Sequence, residues 1–129
     1  MKDIKNKVVV LAGGCGKLGT SFVNSIVAHG GRVAIFDIAK PSSKQIKKKF
    51  LNKTAIYFKC DITNANQIDA CFKKVTKLFG EIDAVVNTTY PLHQKIRTRF
   101  ENLNINFLGT ELKNHLGGAI IFSQRAIKY

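Results

Sequence analysis

Short β-branched runs alternate along this chain with longer stretches whose apolar positions recur at helical period, a pattern that predicts a parallel sheet covered by helices. The first strand is expected at Lys7 to Ala12. From Gly16 to His29, residues Leu18, Phe22, Val23, Ile26 and Val27 share one helical face, and Gly30-Gly31 supplies the stop. Arg32 to Ile38 reads as the second strand. Pro41, Ser42 and Ser43 then interrupt the pattern, and either serine can cap a lysine-rich helix ending near Leu51. A third strand is expected at Ala55 to Cys60. It precedes a helix near Asn66 to Leu78 that turns Ile68, Cys71, Phe72, Val75 and Phe79 inward and Lys73, Lys74 and Lys77 outward. Glu81-Ile82-Asp83 opens a fourth strand ending at Asn87. An irregular segment from Thr88 to Asn104 follows, and a long helix from about Leu108 closes the chain.

Composition narrows the class. The 129 residues suit one domain, 1–129, and 45% of them are hydrophobic against 22% charged. No stretch approaches the roughly 18 uninterrupted apolar residues of a membrane span. The opening MKDIKNK has no leader pattern, so a cytoplasmic protein is expected. The three cysteines, Cys15, Cys60 and Cys71, are odd in number and show no metal-ligand spacing, and no spacing links the three histidines. Reduced thiols and no metal site are expected, with Cys15 a space-filling side chain rather than one activated by a helix N-terminus. The net charge of +13 arises from 21 basic against 8 acidic residues, of which 17 are lysine and four arginine. Lysines on solvated helix faces explain that charge better than nucleic-acid binding does, since arginine is scarce and no aromatic residues interleave with the basic run.

The chemistry concentrates in LAGGCGKLGT, Leu11 to Thr20. Gly13, Gly16 and Gly19 are spaced three and three where the first strand turns into the first helix. Residues without a Cβ let the backbone approach a pyrophosphate, and the helix N-terminus offers it free N–H groups. Asp37 ends the second strand and is placed to accept hydrogen bonds from ribose hydroxyls. Strand, glycine triplet, helix, strand and terminal acid together predict a dinucleotide site. NAD is favoured over NADP, because a carboxylate at the ribose repels a 2′-phosphate more than Lys17 and Lys40 attract it.

With these residues in place the chain resembles the N-terminal half of a short-chain dehydrogenase/reductase. AGGCGKLG, Ala12 to Gly19, is similar to the family's TGxxGxxG loop, with Ala12 at the threonine position. The resemblance implies a Rossmann-like doubly wound α/β sheet of order 3-2-1-4, ending after about four strands. It also implies a dinucleotide held by Gly13, Gly16, Lys17, Leu18, Gly19, Asp37 and Ile38, with Asp61 and Ile62 at the adenine. The resemblance also places Asn87 at the cofactor site with a strand-stabilising role, as the first asparagine of the family's Asn-Asn-Ala-Gly motif, followed here by Thr88, Thr89 and Tyr90. Asn114 matches the family asparagine that holds a catalytic lysine through a water, and Asn106 is the second choice. AVVNTTYP and NHLGGAIIFSQ resemble the bacterial subgroup associated with flagellin modification and surface-sugar biosynthesis, which implies a small hydroxyl- or carbonyl-bearing substrate.

The family's catalytic serine and YxxxK pair have no counterpart. Four residues after Tyr57 comes Asp61, after Tyr90 comes Gln94, and Tyr129 is the last residue. Nucleotide binding without family-level hydride transfer is therefore expected. Two alternatives are a non-catalytic nucleotide-binding or interaction module and a non-specific nucleic-acid binder. In the 3-2-1-4 order the strand IDAVVN becomes an exposed apolar edge. The last helix, through Leu116, Ile120, Ile121 and Ala126, is expected to expose a stripe that in this family commonly forms a dimer interface, hence a homo-oligomer. Gly117-Gly118 implies close approach of that helix to the sheet or cofactor.

Overall fold

The computed structural model describes residues 4–42, 53–90 and 99–129. The lysine-rich helix expected to end near Leu51 lies outside them, as do Pro91, His93, Gln94 and Lys95 of the irregular segment. Four strands, β1 (Val8–Ala12), β2 (Arg32–Asp37), β3 (Ala55–Lys59) and β4 (Ala84–Asn87), form one parallel sheet in the order β3-β2-β1-β4. The register pairs Val10 with Ala34 on one side and with Val85 on the other, and Ile35 with Tyr57. Every residue of β1 is buried, as a central strand covered on both faces should be.

Alternation along β1 and β2 divides the core in two. Val9, Leu11, Val33 and Ile35 point to one face and pack with Val23 and Ile26 of helix α1 (Lys17–Ala28). Val8, Val10, Ala34 and Phe36 point to the other. There they meet Ile68, Cys71, Phe72 and Val75 of α2 (Ala65–Phe79), with Phe122 of the last helix. Phe36 packs edge-on against both Phe72 and Phe122, and Tyr129 stacks on Phe72 with ring centroids 5.0 Å apart. Helices on both faces make the architecture doubly wound and Rossmann-like, as expected.

Strands β2 and β3 each end one residue earlier than the pattern predicts, and larger differences of boundary and face occur elsewhere. In α1 only Gly19, Val23 and Ile26 are buried, whereas Phe22 is exposed and Leu18 is 61% exposed, the latter because the first turn of the helix overhangs the carboxyl edge of the sheet. Asp83 lies outside β4 because its carboxylate is taken up in a clamp, accepting hydrogen bonds from Lys7 Nζ at 2.7 Å and the Val8 N–H at 2.8 Å. The last helix begins earlier, as α3 (Ile105–Leu112) capped by Asn104. It widens to a π-helical segment over Lys113–Gly117 and continues as α4 (Gly118–Ala126). Leu116 and Ile120 face outward as expected, but Ile121 and Ala126 pack against the core around Phe122. Strand β4 is the sheet edge, and Ala84 and Val85 are exposed.

Candidate functional site

The carboxyl ends of the four strands open into a cleft of about 740 Å³, within the size range of small-molecule sites. Because the strand order is β3-β2-β1-β4, the cleft runs from Asp61 after β3, past Asp37 at the end of β2, to the glycine loop after β1, and reaches Thr88 after β4. It lies at the strand-order switch point where doubly wound sheets bind ligands.

The glycines of the loop do three different things. Gly13 has φ +78°, and a Cβ there would stand 2.8 Å from the backbone of Thr88 and Thr89, so glycine lets the β4 turn close onto the loop. A Cβ on Gly19 would fall 2.1 Å from the Gly13 carbonyl oxygen, so this glycine sets the approach of α1 to β1. Gly16 is different. An added Cβ meets only that same oxygen, at 3.3 Å, and the residue lines the cleft. Gly16 is also the N-cap of α1 and makes no side-chain cap, whereas Asn64 and Asn104 cap α2 and α3 through their side chains. Among the described residues no side chain thus caps the first-turn N–H groups of α1 where an anion would sit.

Asp37 braces this loop. Its Oδ2 accepts the Cys15 N–H at 2.9 Å and its Oδ1 accepts the Ala39 N–H at 2.9 Å. Burial, aided by the charge and hydrogen bond of Asp37, pushes the Cys15 thiol up to about 12. The thiol is therefore not activated by the helix N-terminus. Asp61 is held in a turn, with its Oδ1 accepting both the N–H and the hydroxyl of Thr63. Ile62 is buried, and a Cβ on Gly118 would stand 3.2 Å from its Cδ1. Close packing explains that glycine of the pair, while Gly117 meets nothing nearer than 3.8 Å.

Of the residues expected at a nucleotide site, Gly13, Gly16, Lys17, Leu18, Asp37 and Ile38 line the cleft on its α1 and β2 side. Asp61, Ile62 and Asn114 line the remainder. Gly19 lies beneath the loop and Asn87 beside the cleft, outside its lining. Asn114 sits in the π-helical segment, a widening that recurs at functional positions. Asn106 is exposed and lies outside the lining.

Thr88 ties the end of β4 to β1. The Thr88 N–H and hydroxyl both donate to the Ala12 carbonyl, at 2.9 and 2.8 Å. The Asn87 Oδ1 accepts the N–H and hydroxyl of Thr89. Thr88, Thr89 and Tyr90 line the cleft although no pattern in the sequence marks them; their departure from Asn-Ala-Gly was the one available signal.

A dinucleotide-type cleft on a doubly wound sheet defines a class of Rossmann-fold nucleotide-binding proteins. The chain belongs to the short chain dehydrogenase family, whose pattern it matches over residues 7–127. It is 25% identical over 130 residues to the post-translational flagellin modification protein A of Campylobacter coli, covering 98% of this chain and 51% of that protein. Among solved structures, a short chain dehydrogenase from Bacillus anthracis superposes with a TM-score of 0.82 at 22% identity, over 99% of this chain and 51% of the other. A short chain dehydrogenase from Leptospira borgpetersenii with bound NAD+ gives a TM-score of 0.80 at 22% identity, over 98% and 46%. The chain spans about half the length of the relatives it matches. No helix among the described residues is long and apolar enough to cross a membrane, and no group of three or more His, Cys, Asp or Glu among them is placed to hold a metal ion.

Proposed function

We propose that residues 1–129 are the dinucleotide-binding domain of a short-chain dehydrogenase/reductase-type oxidoreductase, and that NAD rather than NADP is its nucleotide. The observation that carries this reading is Gly16, where the cradle is open and a Cβ would fill it, at a helix start that no side chain among the described residues caps. In this reading the N–H groups at the start of α1 hold the pyrophosphate, and Asp37, already fixed by Cys15 and Ala39, accepts from the adenosine ribose. Lys17 and Leu18 flank the phosphates, Ile38, Asp61 and Ile62 border the adenine, and Asn87 braces the turn beside the second nucleotide. A bound dinucleotide supplies the hydride acceptor or donor, and the residues of this chain bind and orient it.

The substrate reading is a small, sugar-derived molecule reacting at a hydroxyl or carbonyl carbon, favoured by the likeness to a flagellin modification protein. Asn114, at the widened turn beside the cleft, is the residue of this chain assigned to the proton relay. With no YxxxK in its sequence, this polypeptide alone is expected to bind nucleotide without turnover. Self-association through the outward stripe of the last helix belongs to the same proposal.

Calorimetric titration with NADH and NADPH tests the assignment. NADH is expected to bind more tightly, and Asp37→Ser is expected to narrow or reverse the preference by about tenfold or more, since it removes a charge that repels the 2′-phosphate. Folded protein that binds neither nucleotide overturns the proposal.

A further inference from the structure

The end of the cleft beyond β4 carries a side-chain arrangement that neither the glycine loop nor the ribose acid uses. Tyr90 is 67% exposed and lines the cleft together with Asn114. It follows directly on a rigid turn. Thr88 and Thr89 are fixed by four hydrogen bonds, two to the Ala12 carbonyl and two to Asn87 Oδ1, and their backbone lies against Gly13. The Tyr90 ring meets the imidazole of His115 edge to face, with centroids 4.8 Å apart and an interplanar angle of 63°. His115 is itself held from its own helix, its Nε2 standing 3.3 Å from Glu111 Oε2. An aromatic ring braced from one side and open to a cleft offers its remaining surface to a flat partner.

The order of the strands says which partner. Asp37 and Asp61 lie at the ends of β2 and β3, on the opposite side of the glycine loop from Tyr90. A dinucleotide with its adenosine on the β2–β3 side and its pyrophosphate at Gly16 must direct its second nucleotide toward β4. We propose that Tyr90 stacks on the nicotinamide ring of that second nucleotide, with His115 and Glu111 as positioning residues that hold the tyrosine ring in place. This rests on the dinucleotide reading above and adds the residue that recognises the second base.

Calorimetric titration of the folded protein with ADP, which ends at the pyrophosphate, and with NADH, which carries the second base, separates the two readings. In Tyr90→Ala the NADH dissociation constant is expected to rise about tenfold, the scale of one lost aromatic contact. The ADP constant is expected to stay within about twofold, because nothing at the β2–β3 end has changed. Tyr90→Phe should retain NADH affinity, since stacking needs the ring and not the hydroxyl. His115→Ala should show a smaller loss for NADH and none for ADP. Tyr90 is largely exposed, so the variants are expected to fold, and their melting temperatures check this. ADP binding in the wild type with an unchanged NADH constant in Tyr90→Ala overturns the assignment of Tyr90 and leaves the dinucleotide reading standing. Equal losses for both ligands overturn it too. Failure of the wild type to bind either ligand overturns the dinucleotide reading itself and this assignment with it.

Discussion

Gly16 and Gly19 stand three residues apart in one loop, yet a methyl group added to each should fail in a different way. At Gly19 the new Cβ would fall 2.1 Å from the Gly13 carbonyl oxygen and 2.7 Å from Gly14 Cα, both backbone atoms that cannot swing aside. Gly19→Ala must therefore push α1 off β1, at a cost of about 1–3 kcal/mol typical of overpacking. At Gly16 the backbone is extended, with φ −74° and ψ 172°, and the single close atom is at 3.3 Å. Gly16→Ala should cost about 0.5–1 kcal/mol, since alanine is a poorer N-cap than glycine, but its methyl occupies the space assigned to the pyrophosphate. The expected outcome is a small drop in the urea midpoint with NADH affinity at least about tenfold weaker in Gly16→Ala, against a larger drop in midpoint in Gly19→Ala. An unchanged NADH affinity in Gly16→Ala would remove the phosphate-cradle assignment. The triplet and Asp37 were legible in the sequence because glycine spacing and a strand-terminal acid are local signals. Thr88 and Tyr90 were not, because what gives them meaning is the contact of the β4 turn with Gly13, which joins residues 75 positions apart.

Among the elements, the strands and the two helices packed directly against them are legible in the sequence, and the last helix departs in part from its pattern for a physical reason. Strands β1 and β2 are near-continuous apolar runs, as buried parallel strands are, and α2 carries its apolar residues on one face. At the C-terminal end of the chain the inward positions are Phe107, Glu111, Asn114, Gly118, Ile121, Phe122, Arg125, Ala126 and Tyr129, which recur at helical period but are nearly half polar or glycine. The outward positions Leu108, Leu112, Leu116 and Ile120 are all apolar and exposed. Apolar residues thus lie on both faces, and hydrophobic periodicity does not distinguish them. The polar inward positions have partners or a place in the cleft: Arg125 Nη1 lies 3.4 Å from Asp69 Oδ2, Glu111 holds His115, and Asn114 lines the site. Paired substitutions distinguish the two faces. Phe122→Ala removes a ring that is 1% exposed and packed on Phe36 and Phe72, and is expected to cost about 3–5 kcal/mol in chemical denaturation. Leu116→Glu, at a side chain 57% exposed, should change stability by no more than about 0.5 kcal/mol. If the outward stripe is the self-association surface, the same variant shifts sedimentation toward monomer. An unchanged sedimentation profile would sever the stripe from self-association.

At the scale of the whole molecule, the problem is to hold an edge strand in a chain of net charge +13. Among the described residues strand β4 pairs only with β1, and its side chains are mostly exposed, so apolar burial contributes little to fixing it. A charged clamp fixes its entry instead. Asp83 accepts from Lys7 Nζ at 2.7 Å and from the Val8 N–H at 2.8 Å, joining the start of β4 to the start of β1 across 75 residues. The hydrogen bond from Lys7, followed by that from Val8, holds the Asp83 carboxyl below its ordinary range, and the same carboxylate holds the Lys7 ammonium above its own. A depressed carboxyl contributes stability above the unfolded value of about 3.9 and loses it as the pH falls through the lower folded value. A raised ammonium contributes below about 10.4 and loses it as the pH rises through the higher folded value. The clamp should thus act across the plateau between those limits and fail first on the acid side, where the remaining carboxylates also protonate and the net positive charge grows. Asp83→Asn is expected to lower the melting temperature at neutral pH, and its deficit against the wild type should shrink as both are taken below about pH 4. Part of the effect should yield to salt, since Lys7 and Asp83 are 54% and 30% exposed and the pair is screened. A deficit that stayed constant from neutral pH to below pH 3 would mean that the carboxamide harms packing rather than removing a charge, and the edge strand would then need another explanation for its registration on β1.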